Sequence, residues 1–392
     1  MNMRKRALGK TGLEVSQLGF GCMRLPLLDH DKPESVNAPE AVRMIRRAAE
    51  AGVNYFDTAF PYHGSDRMKP GRSESVLGEA LSGGLRDKVI IATKLPLWAL
   101  EKPDDMERIL DGQLERLGTD HIDLYLAHNI VSPYWQKVKD LGLFAFLDRA
   151  RKNGRIRHPG FSFHDDYALF RQVLEEYPWE LAQIQYNYLD VNYQAGRRGL
   201  AAAAAKGMGV AIMEPLRGGF LVNNIPEDSR SLLRERRPNW SLADWGLRWL
   251  WDQPEAGVVL SGMSSMEQLE ENLRIAADAG PGTFAAADRE AIEKVRARFA
   301  ERMGANCTAC GYCLPCPAGV AIPKIFSTYN EYLLSDAKEV KDRAKVFYGM
   351  TMSESERADK CVDCKLCETK CPQHVPVASL MPRVAELLGA AT

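Results

Sequence analysis

Eight of the nine cysteines in this 392-residue chain fall in two short runs near its end. Cys307, Cys310, Cys313 and Cys316 lie in CTACGYCLPCP, and Cys361, Cys364, Cys367 and Cys371 lie in CVDCKLCETKCP; only Cys22 comes before residue 300. Close-set thiols in a reducing compartment bind metal more often than they pair as disulfides. The second run reads C-x2-C-x2-C-x3-C-P, a spacing in which three thiolates hold one iron–sulfur cluster and the fourth reaches a second. The first run is one residue shorter before its last cysteine. Together they supply enough thiolates for two [4Fe–4S] clusters. The crossed pattern assigns Cys307, Cys310, Cys313 and Cys371 to one cluster, and Cys361, Cys364, Cys367 and Cys316 to the other. Structural zinc is the alternative, but it draws on two separated C-x2-C pairs, and thiolates at this spacing crowd a single tetrahedral ion.

A second group of residues could do acid–base work. Asp57 and Tyr62 lie in NYFDTAFPYHG, Lys94 falls near the end of VIIATKL, and His128 ends IDLYLAH. Taken singly, each has a structural explanation: Asp57 caps a turn, Lys94 snorkels, and His128 is a satisfied core histidine. Together they suit one reaction. A tyrosine serves as general acid toward a carbonyl oxygen when its pKa is brought down from about 10. A buried ammonium beside the phenol does that, and a carboxylate keeps the ammonium charged and oriented. A neutral histidine can orient the substrate oxygen and relay the proton. The set fits hydride addition to a C=O group, or the reverse oxidation of an alcohol.

The elements that must position these residues form a repeating pattern. Apolar runs at 18–25, 54–59, 89–95, 122–128, 156–163, 182–188, 210–216 and 257–263 are rich in β-branched and aromatic residues, as in strands covered on both faces. Amphipathic helical stretches lie between them, such as PEAVRMIRRAAEAG ending on Gly52 and DDMERILDGQLERLG ending on Gly118. Eight such units predict an α/β fold, a (β/α)8 TIM barrel over residues 1–300 with its site at the C-terminal ends of the strands. A doubly wound sheet competes, but no G-x-G-x-x-G supports a Rossmann site. Residues 301–392 then form a small, mainly α-helical iron–sulfur domain whose charges balance, unlike a disordered tail.

Composition narrows the partners. Lys plus Arg is 51 and Asp plus Glu is 52, for a formal charge of -1, so no basic footprint for nucleic acid or an anionic membrane is expected. No apolar run approaches membrane-spanning length, and the basic N-terminus lacks the apolar stretch of a secretory signal. The expectation is a cytoplasmic protein.

LGKTGLEVSQLGFGCMRL, NYFDTAFPYHGSDR, GRSESVLGEAL, IIATKLP, LYLAH, GFSFH, QIQYN, MEPLRGG and SGMSSMEQLEENL occur in this order. With them the chain resembles the aldo-keto reductase family over roughly residues 4–300. The resemblance implies a barrel that binds NADP or NAD without a Rossmann fold. It implies Tyr62 as proton donor, with Asp57, Lys94 and His128 completing a tetrad. It places Ser162 and Gln183 on the nicotinamide carboxamide, and Ser261, Gly262, Gln268, Glu271 and Asn272 along the pyrophosphate and adenosine end. Phe163 stands where many members carry an asparagine. Met213 and Glu214 stand where many carry a stacking aromatic and a serine, and Met213 is expected to touch the nicotinamide. Met263 offers no cation for a 2′-phosphate. The tail resembles a dicluster ferredoxin domain, so the whole looks like the ferredoxin-bearing subset of the family.

Other polar and aromatic residues read as structural. His63 reads as a solvated loop histidine, while His164 and Asp165 are placed to shape the mouth. Trp240, Trp245, Trp249 and Trp251 have the spacing of packing residues rather than a substrate box. The fusion poses its own question, because a hydride carries two electrons and each cluster passes one. No flavin signature is visible, yet a flavin stays open as the converter, as does a redox partner protein. The favoured reading is a carbonyl reductase or alcohol dehydrogenase whose clusters stabilise or regulate it. The alternatives are a ferredoxin-linked oxidoreductase and a non-catalytic electron-transfer module, the intact tetrad weighing against the last.

Overall fold

The computed structural model describes residues 3–335 and 337–389. It divides into two compact units: Met1–Pro215 with Asp244–Phe284, and Leu216–Ala243 with Ala285–Thr392. Among the described residues, no helix is long and apolar enough to cross a membrane.

The first unit holds a closed barrel of eight parallel strands paired in chain order. They are β1 (Leu18–Gly21), β2 (Tyr55–Asp57), β3 (Ile90–Pro96), β4 (Ile122–Ile130), β5 (Ile156–Phe163), β6 (Leu181–Gln185), β7 (Gly209–Met213) and β8 (Val258–Gly262). Helices on the outside cover them, among them Ala38–Glu50, Ser73–Leu81, Asp104–Leu117, Tyr167–Glu176 and Met266–Asp278. An antiparallel hairpin, Lys5–Ala7 paired with Glu14–Ser16, precedes β1.

The interior follows the strand period of two. Leu8 and Val15 of the hairpin pack with Tyr55, Ala92, Leu124, Leu126, Leu181, Ala211, Val258 and Leu260 in one buried cluster, so the hairpin plugs the N-terminal end. Two residues further along the same strands, the inward side turns polar. Tyr55 leads to Asp57, Ala92 to Lys94, Leu126 to His128 and Leu181 to Gln183, while Ala211 leads to the thioether of Met213. The apolar layers fill the lower barrel and the polar layer caps it, which is where TIM-barrel sites lie. At Gly19 the interior is full, since a Cβ there would come 2.6 Å from Leu260 and 2.8 Å from Val258.

Sequence-derived helix and strand assignments hold in these elements, with ends shifted by a few residues. The tryptophan-rich stretch is the helix Leu242–Trp251, and Trp245, Trp249 and Trp251 are buried. Trp245 packs edge-on to Phe284 and Trp249 lies 5.1 Å from Tyr186, both packing contacts.

The second unit is mainly helical. Ala305, Val320, Ile325, Phe326, Tyr348, Val377, Met381 and Val384 belong to its buried core, drawn largely from the helices Ile322–Leu334, Lys338–Thr351 and Val377–Leu388. Six of the eight clustered cysteines pack against that core. Asn330 fastens the segment entering the first cysteine run, taking the Ala305 N–H at 2.9 Å and giving its own amide N–H to the Ala305 carbonyl at 2.7 Å.

The loop after β2 turns back on itself at Gly71, whose N–H donates to the Phe60 carbonyl at 2.8 Å. A Cβ at Gly71 would run into the Tyr62 carbonyl oxygen and come 2.7 Å from the Gly64 nitrogen. Gly71→Ala is therefore expected to destabilise the protein by about 1–3 kcal/mol. Urea unfolding of the two proteins measures it, and an unchanged midpoint would show that this loop yields freely.

Candidate active site and cysteine loops

Lys94 is fully buried, and its ammonium is held at three points. It donates to both carboxylate oxygens of Asp57 and to the Thr58 carbonyl, each at 2.7 Å. Burial pushes the Asp57 carboxyl up and the Lys94 ammonium down, and each partner's charge opposes the other's shift. We read the contact as an ion pair, because its geometry satisfies both carboxylate oxygens and all three ammonium protons. The Lys94 nitrogen lies 5.0 Å from the centre of the Tyr62 ring. Tyr62 itself keeps 9% of its surface exposed.

His128 stands edge-on to Tyr62, the ring centres 6.1 Å apart. Burial holds its imidazole well below the ordinary histidine range, and the charges of Lys94, His164 and Arg67 add to that. Its Nδ1 is buried without a hydrogen-bond partner. The four residues picked out from sequence for acid–base work thus meet at the C-terminal end of the barrel.

Ser162 and Gln183 are register partners on β5 and β6. The Ser162 hydroxyl and the Gln183 Oε1 are both buried with no partner, and the Gln183 amide N–H faces the Met213 sulfur at 3.8 Å. Met213 is half-buried at the end of β7. Phe163 points the other way, into Phe170 of the helix Tyr167–Glu176 with ring centres 4.9 Å apart.

The remaining candidates group around the end of β8. Gly262 is exposed, while the Ser261 hydroxyl turns to the following helix and accepts from the Asn272 amide at 3.0 Å. Ser265 caps that helix, Met266–Asp278, and accepts from the Gln268 N–H. The Gln268 side chain folds back to accept from the Ser264 N–H at 2.9 Å, and Glu271 is half-buried one turn on.

Several side chains at the mouth differ from their sequence reading or escaped it. His63 is buried, not solvated: its Nε2 accepts the Leu25 N–H at 3.1 Å, and its Nδ1 lies 3.0 Å from the Pro33 carbonyl. Those contacts fix the proton on Nδ1, so His63 braces two loops. Asp165 accepts from the Ser132 N–H and hydroxyl at 2.7 and 2.6 Å. Trp98, in the helical turn after β3, puts its ring 5.1 Å from His128 and was missed. An aromatic just past a strand end, four residues after Lys94, was the available signal. Behind β3 lies a buried network, also missed. Gln113 donates to the Lys94 carbonyl at 3.0 Å and to Glu74 at 2.7 Å, and Thr93 and Arg116 also reach Glu74.

In the second unit, one cavity of about 360 Å³, solvent-open space included, is lined by Cys316, Cys361, Cys364 and Cys367 together with Ile322 and Met381. Cys316 thus leaves its own run and joins three cysteines of the other. Burial pushes the Cys313 thiol up, and the charges of Cys310, Cys307 and Cys371 add to the shift in that order. Among the described residues, no three such side chains close tightly enough for a single metal ion.

The two runs share a backbone signature despite their unequal length. Ala309 and Asp363, each just before the second cysteine, have φ of 54° and 53°. Gly311 and Lys365, each just after it, have 80° and 57°, and Gly319 and His374, each three residues past the fourth, have 78° and 49°.

These features find a counterpart in known proteins. The sequence profile described as the Aldo/keto reductase family matches residues 17–279, and that of the 4Fe-4S dicluster domain matches residues 306–376. The uncharacterized oxidoreductase YqkF of Bacillus subtilis is 28% identical over 70% of this chain and 91% of its own length. L-galactose dehydrogenase of Arabidopsis thaliana is 29% identical over 68% of this chain and 86% of its own. Among solved structures, an aldo-keto reductase of Bacillus halodurans in its holo form is 26% identical, with a TM-score of 0.61 over 75% of this chain and 96% of its own. The chain belongs to the aldo/keto reductase family of oxidoreductases and carries a 4Fe-4S dicluster domain toward its C-terminus.

Proposed function

We propose that the barrel reduces a small carbonyl compound to an alcohol, or runs the reverse oxidation, using NADP or NAD and with Tyr62 as proton donor. The observation that carries this reading is the Lys94 ammonium, locked by Asp57 and Thr58, beside the Tyr62 ring. A fixed positive charge favours the phenolate left after the phenol gives up its proton, which makes the phenol a better acid. Asp57 keeps that charge in place. His128, neutral and with a free Nδ1 in the same layer, is suited to orient the carbonyl oxygen beside the Tyr62 hydroxyl.

The residues present fit a nicotinamide. Buried polar atoms without partners are costly, on the order of 1–3 kcal/mol each, and here two lie on adjacent strands. The Ser162 hydroxyl and Gln183 Oε1 suit the two ends of a carboxamide, with Met213 bordering the ring. The N-terminus of the helix Met266–Asp278, next to Gly262, Gln268 and Glu271, favours an anionic pyrophosphate. Ser261 and Asn272, bonded to each other, hold that helix to β8. A nicotinamide bound there supplies the hydride.

For the second unit we propose two [4Fe–4S] clusters in the crossed arrangement, one on Cys307, Cys310, Cys313 and Cys371 and one on Cys361, Cys364, Cys367 and Cys316. The cavity that Cys316 shares with three cysteines of the other run supports it. Such clusters supply one-electron redox capacity, which the hydride reaction in the barrel does not itself require.

Replacing Tyr62 by Phe should lower kcat with a carbonyl substrate by about 10²–10⁴-fold. Steady-state kinetics decides, and near-normal turnover would remove Tyr62 from its role. Protein purified without oxygen should hold about eight iron and eight sulfide per chain. Cys316→Ala should lose about half of each, and full retention would break the crossed assignment.

A third expectation concerns pH. The His128 pKa is depressed on folding, so below the unfolded value of about 6.5 the unfolded chain binds more protons. Stability contributed by the neutral ring is present above that value and declines as pH falls toward the folded pKa. His128 should therefore remain neutral at pH 6 by ring NMR, and a midpoint near 6.5 would contradict its burial.

A further inference from the structure

One cation at the barrel mouth helps keep His128 neutral but has no ligand in the chemistry above. Arg67 lies in the loop after β2, half-buried, between Tyr62 and the helix Ser73–Leu81. Its guanidinium carbon is 4.4 Å from the centre of the Trp98 ring, and the Trp98 Nε1–H donates to the Arg67 carbonyl at 3.1 Å. Backbone and side chain of Arg67 thus grip the same indole. That indole lies 5.1 Å from His128, and His128 lies 6.1 Å from Tyr62. Consecutive ring contacts therefore lead from Arg67 to the phenol.

The charge lacks a protein partner. Among the described residues, no carboxylate lies within ion-pair distance of Arg67. The adjacent Asp66 turns instead to the Met68 N–H at 2.9 Å and to Lys69 at 3.8 Å. Stacking on Trp98 covers one face of the guanidinium but leaves its in-plane N–H donors uncommitted. Those donors form a planar fork that matches a carboxylate or phosphate. Cation–π packing explains why the group rests on an indole. It does not supply the anion that a half-desolvated guanidinium beside a reacting centre would take.

We propose that the substrate carries an anionic group, a carboxylate or a phosphate, close to its reacting carbonyl, and that Arg67 binds this group across the Trp98 face. This rests on the carbonyl-reductase reading of the barrel. Arg67 then acts in specificity, selecting charged carbonyl compounds over neutral ones of the same length.

The test uses the full chain with its clusters and two matched pairs: 4-oxobutanoate against butanal, and glyceraldehyde 3-phosphate against glyceraldehyde. The charged member of at least one pair should lead in kcat/KM by about tenfold or more. Which pair does so tells carboxylate from phosphate. In Arg67→Met, whose side chain still covers Trp98, the ratio should fall toward one, and Arg67→Lys should restore part of it. Equal kcat/KM within both pairs, or a ratio unchanged in Arg67→Met, overturns the inference while leaving the carbonyl reaction standing. If none of the four is turned over, the carbonyl reading fails. Calorimetric binding of 4-oxobutanoate and glyceraldehyde 3-phosphate then decides for Arg67. An affinity lost in Arg67→Met supports the anion site, and no binding or an unchanged affinity overturns it.

Discussion

The ion pair between Lys94 and Asp57 is the constraint around which the barrel mouth is built. Two charges taken out of water cost several kcal/mol apiece unless geometry is close and the remaining donors are met. Here every ammonium proton has an oxygen at 2.7 Å, one of them the Thr58 carbonyl. Such a contact tolerates little drift of β2 against β3, and the surroundings hold the strands. The Asp57–Ala92 register fixes one against the other. Behind β3, Gln113 and Glu74 tie the Lys94 carbonyl to two outer helices, with Arg116 neutralising Glu74. The ammonium is thus clamped by side chain in front and by backbone behind. Loss of Asp57 alone would strand a buried cation, a worse outcome than loss of both partners.

Much of this was legible in the sequence because a strand's period is short and local. Once the strands are located, Asp57, Lys94, His128 and Gln183 fall on the inward side two residues beyond apolar inward neighbours, and no long-range knowledge is needed. The cysteine runs were legible for a similar reason, their spacing being a local record of ligand geometry. What escaped depends on contacts between distant segments. His63 looks like any loop histidine until Leu25 and Pro33 close over it. Trp98 and Arg67 lie 31 residues apart and meet only because the loops after β2 and β3 share the mouth. Ser261 alternates outward, and only the helix packing on β8 shows that its hydroxyl accepts from the Asn272 amide.

The barrel's polar layer combines groups that are already paired with groups that are not. Lys94, Asp57 and His63 have their partners within the protein, so they form a rigid frame. The Ser162 hydroxyl, Gln183 Oε1 and His128 Nδ1 are buried without partners. A frame of satisfied charges supporting a few unsatisfied neutral atoms is what preorganisation requires. Ligand binding can then meet open valences without displacing the ion pair.

The paired left-handed positions in the cysteine loops give the two runs a similar backbone path despite their unequal length. Three positions match, and the one-residue difference in length falls between the third and fourth cysteines, Cys313 to Cys316 in the first run and Cys367 to Cys371 in the second. The residues that adopt this path differ between the runs. Two of the three positions are glycine in the first loop, which adopts that backbone freely, whereas the second carries Asp363, Lys365 and His374. The second loop therefore holds a left-handed path with side chains that disfavour it at all three positions, where the first loop does so at one.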